Sequence, residues 1–256
     1  MIVGYHQRSH WDAVHAVTVE PDGEAALAVA RSAVGALGSA PGAVVVDVAC
    51  GTGPFLRVLP GDVTGVGVDL AHGALRPGGV CGDALALPLL DGVADAVTVL
   101  SSWWALPDVD RAVREGTRVL RPGGTLLVHT WDRAPTCRLI TLGAVCIAKV
   151  LPSMVRPEGV RGPFDVPVSE VATVLGAGLE VRGTVRLEHT WPLGTVAAYW
   201  TEFGPLAPTS YAAYLDAPDH ARATVDRLLG GLLDRLRSEG VAGLGLTWHL
   251  TAAVKP

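Results

Sequence analysis

An unbroken β-branched run, Ala43-Val44-Val45-Val46-Asp47-Val48-Ala49, followed at once by Gly51 and Gly53, constrains this chain more than any other feature. Its length suits a strand. Its lack of alternation predicts a strand covered on both faces, as in a parallel sheet flanked by helices. Comparable strand segments follow at Val63 to Leu70, Val93 to Leu100 and Thr125 to Trp131, and residues 24–37 and 109–120 are rich in helix formers. Strands alternating with helices predict an α/β protein with helices on both faces of its sheet.

Further along, residues 136–151 and 168–175 read as helices, 179–191 as extended, 219–238 as an amphipathic helix and 244–254 as a closing strand. No linker-like composition shift divides the 256 residues, so a single domain is expected: an N-terminal helical cap (1–40), a ligand-binding core (42–132), a lid insertion (133–166) and a C-terminal part completing the sheet (167–256). The chain is 49% hydrophobic and 18% charged with net charge −5, which supports a sizeable core and lacks the basic footprint of a nucleic-acid binder. Cys50, Cys81, Cys137 and Cys146 show neither a C-x-x-C pair nor zinc-ligand spacing, so no metal site is expected and a reducing compartment suits them. The first residues carry no basic stretch followed by an apolar one, and the apolar run Leu139 to Leu151 is too short to span a bilayer. The expectation is a cytoplasmic protein that binds neither membrane nor nucleic acid, monomeric or homodimeric, with a small-molecule partner.

Chemistry is concentrated where the first strand ends. In Asp47-Val48-Ala49-Cys50-Gly51-Thr52-Gly53 the glycines allow a sharp turn and close approach of backbone to a ligand, and the helix that follows offers free N–H groups. Asp69 closes the next strand, at the place where open α/β folds put a carboxylate that accepts from ribose hydroxyls. A nucleoside site is therefore expected. A dinucleotide is disfavoured, because Leu56 stands where the fingerprint needs a small residue and Pro54 removes an N–H donor. Asp47 suits a ligand with a positive end, an amino group or a sulfonium.

Five ordered motifs carry a family resemblance: Asp47-x-Ala-Cys-Gly-Thr-Gly53, Gly67-Val-Asp69-Leu, Gly82-Asp83-Ala84-Leu-Ala-Leu-Pro88-Leu, Asp95-Ala-Val-Thr-Val-Leu-Ser101-Ser, and Arg118-Val-Leu-Arg-Pro-Gly-Gly-Thr-Leu126. Over roughly residues 42 to 132 the chain resembles the class I S-adenosylmethionine-dependent methyltransferases, in particular the small-molecule type of quinone and natural-product biosynthesis. The resemblance implies a Rossmann-like, doubly wound, mostly parallel seven-stranded sheet with helices on both faces and a helical lid. It further implies that Asp47 and the turn Ala49, Cys50, Gly51, Thr52 and Gly53 hold the amino-acid end of S-adenosylmethionine, that Asp69 binds the ribose hydroxyls, and that Leu70 packs on the adenine. Asp83 and Ala84 would meet the adenine edge, Ser101 and Ser102 the methionine moiety, and Tyr5 the cofactor from the N-terminal segment. The chain departs from the family pattern at Pro54 and at Trp103-Trp104.

Histidines are the natural bases near neutral pH, and His129, close to the carboxyl end of its strand, and His6 are the candidate catalytic residues. Trp103, Trp104, Trp131 and Trp11 are expected to line a pocket for a largely apolar substrate. The expected reaction is methyl transfer from S-adenosylmethionine to an O, N or C nucleophile, with S-adenosylhomocysteine as product. The alternative is a cyclisation or rearrangement in which the sulfonium acts only as a fixed positive charge.

Overall fold

A computed structural model of the chain describes residues 7–17, 23–156 and 158–256. Seven strands form one sheet in the order β3-β2-β1-β4-β5-β7-β6: β1 (Val44–Val48), β2 (Thr64–Asp69), β3 (Val80–Cys81), β4 (Ala94–Val99), β5 (Leu120–Trp131), β6 (Glu180–Pro192) and β7 (Gly243–Val254). The neighbours from β3 through β5 pair in parallel, and β7 runs antiparallel to both β5 and β6. Successive strands step outward from β1 to β3, and the chain then returns to lay β4 on the other side of β1. The carboxyl ends of β1 and β4 thus flank a topological switch point, where open α/β sheets bind ligands.

Successive residues of the central strands feed different cores because strand side chains alternate between faces. Val45, Ala96 and Leu127 join one cluster, and Val46, Val97, Leu126 and Val128 join the other. The first cluster is closed by α2 (Glu24–Leu37), α5 (Arg138–Val150), α7 (Val196–Leu206), α8 (Pro208–Leu215) and α9 (Asp219–Ser238), the second by α4 (Val109–Val119) and α6 (Val168–Gly176). Helix α1 (Arg8–Val17) has Val14 as its buried residue, and α3 (Pro54–Arg57) is a single turn after the glycine turn. Pro54 sits at the first helical position of α3, where a missing N–H costs nothing. Local signals set several boundaries: Asp108 caps α4 by accepting from the Arg111 N–H at 2.9 Å, and Thr195 caps α7 through the Ala198 N–H at 3.2 Å.

One expected boundary differs. The strand expected from Thr125 begins at Leu120, so residues 121–124 lie within β5 as an irregularity: Leu120 pairs with Ala94, and pairing resumes at Thr125 with Ala96. The segment pairs with the chain end instead: Gly123 N–H donates to the Lys255 carbonyl (2.8 Å) and Lys255 N–H to the Gly124 carbonyl (2.9 Å). Helix α5, within the expected lid insertion, also builds the core through Leu139, Ile140, Gly143, Cys146 and Ile147. No helix among the described residues is long and apolar enough to cross a membrane.

Candidate active site

Ala49 (φ 57°) and Ser101 (φ 59°) are the two non-glycine residues with positive φ among the described residues, and they follow β1 and β4, the strands that flank the switch point. Each such conformation costs about 1–2 kcal/mol and persists only where its surroundings hold it. At the end of β1, Gly51 takes φ 54° and gives its N–H to Asp69 Oδ2 at 2.8 Å, while Asp69 Oδ1 accepts from the Ala71 N–H at 2.8 Å. Asp69 therefore locks the turns after β1 and β2 to each other. The third acid, Asp83, holds its own turn by accepting from the Leu85 N–H at 2.8 Å.

Asp47 is buried, and its Oδ1 accepts from the Thr98 hydroxyl at 2.6 Å. Burial pushes its carboxyl up to about 7, with the neighbouring Asp69 adding to the rise and the Thr98 hydrogen bond opposing it. The same burial, together with both carboxylates, pushes the Cys50 thiol up, so it is not a nucleophile near neutral pH.

These residues line one cavity of about 500 Å³. Of the residues expected to hold the cofactor, Asp47, Ala49, Cys50, Gly51, Thr52, Asp69, Leu70, Asp83, Ala84, Ser101 and Ser102 are on its walls. Gly53 caps α3 at φ 73° without lining the cavity. Tyr5 and His6 lie outside the described residues. Of the four tryptophans, Trp11, Trp104 and Trp131 line the cavity. Trp103 does not. It is 1% exposed in the α4–α6 core, and its Nε1–H donates to Glu170 at 3.1 Å, a carboxylate that Arg161 also grips.

His129 is corrected as well. It is 0% exposed and absent from the cavity wall, and burial, with His249 nearby, holds its pKa at about 3. Its Nδ1 accepts from the Ser101 N–H at 3.1 Å, which places the ring proton on Nε2, and that atom has no partner among the described residues. A neutral imidazole that cannot reach the cavity is no general base for a bound substrate.

Several cavity residues were expected only as members of the N-terminal cap, the lid insertion and the C-terminal part, without individual roles. His15 sits one helical turn beyond Trp11 on α1, its ring stacked on that indole (centroids 6.3 Å apart), and it lies over Gly51 with Nδ1 buried and unpartnered among the described residues. Burial lowers its pKa against the opposing pull of Asp69 and Asp12. The i, i+4 spacing of Trp11 and His15 was the available sequence signal. Arg156 contributes a guanidinium paired with Asp165, and residues 204–211, across the α7–α8 junction, supply another wall. Nothing in their local sequence marks them. The cavity therefore has a carboxylate-bearing end at the glycine turn and an apolar end formed by Trp104, Trp131, Ile140, Ala144, Met154, Phe164 and Tyr211.

Residues 46–128 match a family model described as a methyltransferase domain. A demethylmenaquinone methyltransferase of Mycolicibacterium paratuberculosis is 34% identical over 128 residues, which are 47% of this chain and 56% of that protein. The chain spans about half the length of the first such curated relatives it matches. A broader match is with the demethylmenaquinone methyltransferase of Thermus thermophilus, 32% identical over 165 residues, 54% of this chain and 74% of that protein. Among solved structures, one described as a methyltransferase from an antibiotic biosynthesis pathway of Anabaena variabilis superposes with a TM-score of 0.60 at 18% identity, covering 92% of this chain and 99% of the other. At that identity the likeness is one of fold.

Proposed function

Because the chain belongs to the class I S-adenosylmethionine-dependent methyltransferase family, we propose that it transfers a methyl group from S-adenosylmethionine to an O, N or C nucleophile of a small, largely apolar metabolite in quinone or natural-product biosynthesis. The observation that carries this reading is the single cavity that joins a carboxylate-bearing end at the glycine turn to an apolar end rich in aromatic residues. The residues present fit the cofactor. Asp47 offers a buried carboxylate to an ammonium or sulfonium, and Asp69 retains lone pairs beyond its two backbone N–H bonds for ribose hydroxyls. Ser102 and His15 line the same cavity, and Ser102 Oγ and His15 Nδ1 are buried and unpartnered among the described residues.

When bound, S-adenosylmethionine supplies a methyl group on a sulfonium that needs no further activation. What remains for the protein is to hold the nucleophile about 3 Å from that carbon, in line with the departing sulfur, and to exclude water. The apolar end does both for a hydrophobic ring. A base is needed only where the nucleophile must lose a proton, and His15 is the imidazole on the cavity wall. The relatives named demethylmenaquinone methyltransferases make a reduced naphthoquinone the first substrate to try.

The test is incubation with S-adenosylmethionine and reduced demethylmenaquinone, then a panel of apolar phenols, read by mass spectrometry. A product heavier by one methyl, matched by S-adenosylhomocysteine, is the expected result. Substrate consumed with no S-adenosylhomocysteine formed would overturn methyl transfer in favour of an electrostatic role for the sulfonium. In a parallel calorimetric titration Asp69→Ala should bind S-adenosylhomocysteine at least about tenfold more weakly, because a charge-assisted contact is lost. Unchanged affinity would remove Asp69 from the cofactor site.

A further inference from the structure

We infer that His129 is a positioning residue that holds Ser101 in its left-handed conformation and thereby sets the wall between the two ends of the cavity. Three hydrogen bonds meet at Ser101. Its N–H donates to His129 Nδ1 at 3.1 Å, its hydroxyl lies 3.1 Å from the same nitrogen, and its carbonyl accepts from Trp104 Nε1 at 3.0 Å. Serine does not favour φ 59° by itself. The acceptor beneath it supplies the reason to stay there: β4 and β5 are in register at Val99 and Val128, so His129 comes up beside the end of β4 with its lone pair aimed at the Ser101 N–H.

The consequences fall on the next residues. Ser102, a residue of the cavity wall whose Oγ is buried and unpartnered among the described residues, follows Ser101 directly, and the Trp104 indole is anchored on the Ser101 carbonyl. An apolar side chain at 129 would leave the Ser101 N–H without its acceptor. The backbone would then be free to relax to negative φ, carrying the Ser102 hydroxyl and the Trp104 ring away from their present positions. The pKa of His129 takes no part in this role; what matters is a fixed, neutral acceptor.

The inference rests on the reading of the cavity as a cofactor site, and its test separates the two. S-adenosylhomocysteine is titrated by calorimetry into wild type, His129→Phe, His129→Asn, Ser101→Gly and the double variant His129→Phe with Ser101→Gly. His129→Phe should weaken binding by at least about tenfold, the scale of one released backbone strain. His129→Asn, which keeps an acceptor near the Nδ1 position, should stay within about threefold of wild type. In the Ser101→Gly background His129→Phe should cost no more than about threefold, because glycine takes positive φ without penalty. A His129→Phe protein that binds like wild type, or a loss that persists undiminished in the glycine background, would overturn the inference. If wild type itself fails to bind, only the cofactor reading falls. Urea unfolding of the same variants without ligand then reads the coupling, and equal destabilisation by His129→Phe in both backgrounds counts against it.

Discussion

At the residue scale, the acids of the switch point differ in environment and so in task. Asp69 is committed to two backbone N–H groups, whereas Asp47 has one hydroxyl partner and almost no solvent. With its pKa raised to about 7 against an ordinary 3.8, protonated Asp47 contributes stability that is complete below about pH 4 and lost as pH rises through 7. Ionisation in the ligand-free protein therefore costs on the order of 4 kcal/mol. A cationic ligand group beside it recovers part of that cost and pulls the proton off. Binding of S-adenosylhomocysteine at pH 6.5 should accordingly release a fraction of a proton, and its affinity should rise between pH 6 and 7.5. Calorimetry in phosphate and in Tris, which differ in ionisation heat, reads the release. Identical enthalpies in the two buffers would separate Asp47 from the ligand, and Asp47→Asn should abolish any difference.

At the element scale, the apolar end of the cavity depends on how closely α5 approaches α7. Tyr199 of α7 donates its hydroxyl to the Leu139 carbonyl at 2.7 Å and accepts the Gly143 N–H at 2.6 Å. A Cβ at Gly143 would lie 2.8 Å from that hydroxyl and 3.0 Å from Phe203. Helix propensity alone favours alanine over glycine by about 1 kcal/mol. Overpacking, at about 1–3 kcal/mol, together with a disturbed buried hydrogen bond, outweighs it. Gly143→Ala should thus destabilise the protein, read as a lower urea midpoint at unchanged slope. A higher midpoint would mean that the two helices are free to separate. Sequence periodicity located α2, α5 and α9 because each carries a long helical pattern. It passed over α7 and α8, where Pro205 and Pro208 break a short aromatic stretch into two helices whose docking comes from tertiary packing.

At the scale of the whole molecule, the cavity is bounded by segments distant in sequence, from α1 through the switch point to the α7–α8 junction. A ligand that fills it should stabilise the fold as one unit. At a hundred times its dissociation constant S-adenosylhomocysteine contributes about 2.7 kcal/mol, which for a chain of this size raises Tm by roughly 5–10 °C. Differential scanning calorimetry with NADH as the control measures this. A shift from NADH and none from S-adenosylhomocysteine would reverse the assignment of the cofactor.

The sequence by itself determined the strands and the longer helices, and it picked out the residues at the carboxyl ends of the central strands that line the cavity. Strand runs covered on both faces, glycines at strand ends and carboxylates at fixed offsets are local patterns, and a parallel sheet carries them to its carboxyl edge whatever the helices do. Only the tertiary structure decided which neighbouring side chains reach the cavity. Trp103 and Trp104 are adjacent, yet one is held in the core by Glu170 and the other on the wall by the Ser101 carbonyl. His129 and Trp131 share one face of β5, yet the imidazole is drawn under Ser101 while the indole lines the cavity. His15 becomes a cavity residue only because α1 crosses the glycine turn. Side-chain destinations such as these are set by partners far away in sequence: the i, i+4 spacing of Trp11 and His15 puts both on one helix face, but only the docking of α1 brings that face to the cavity.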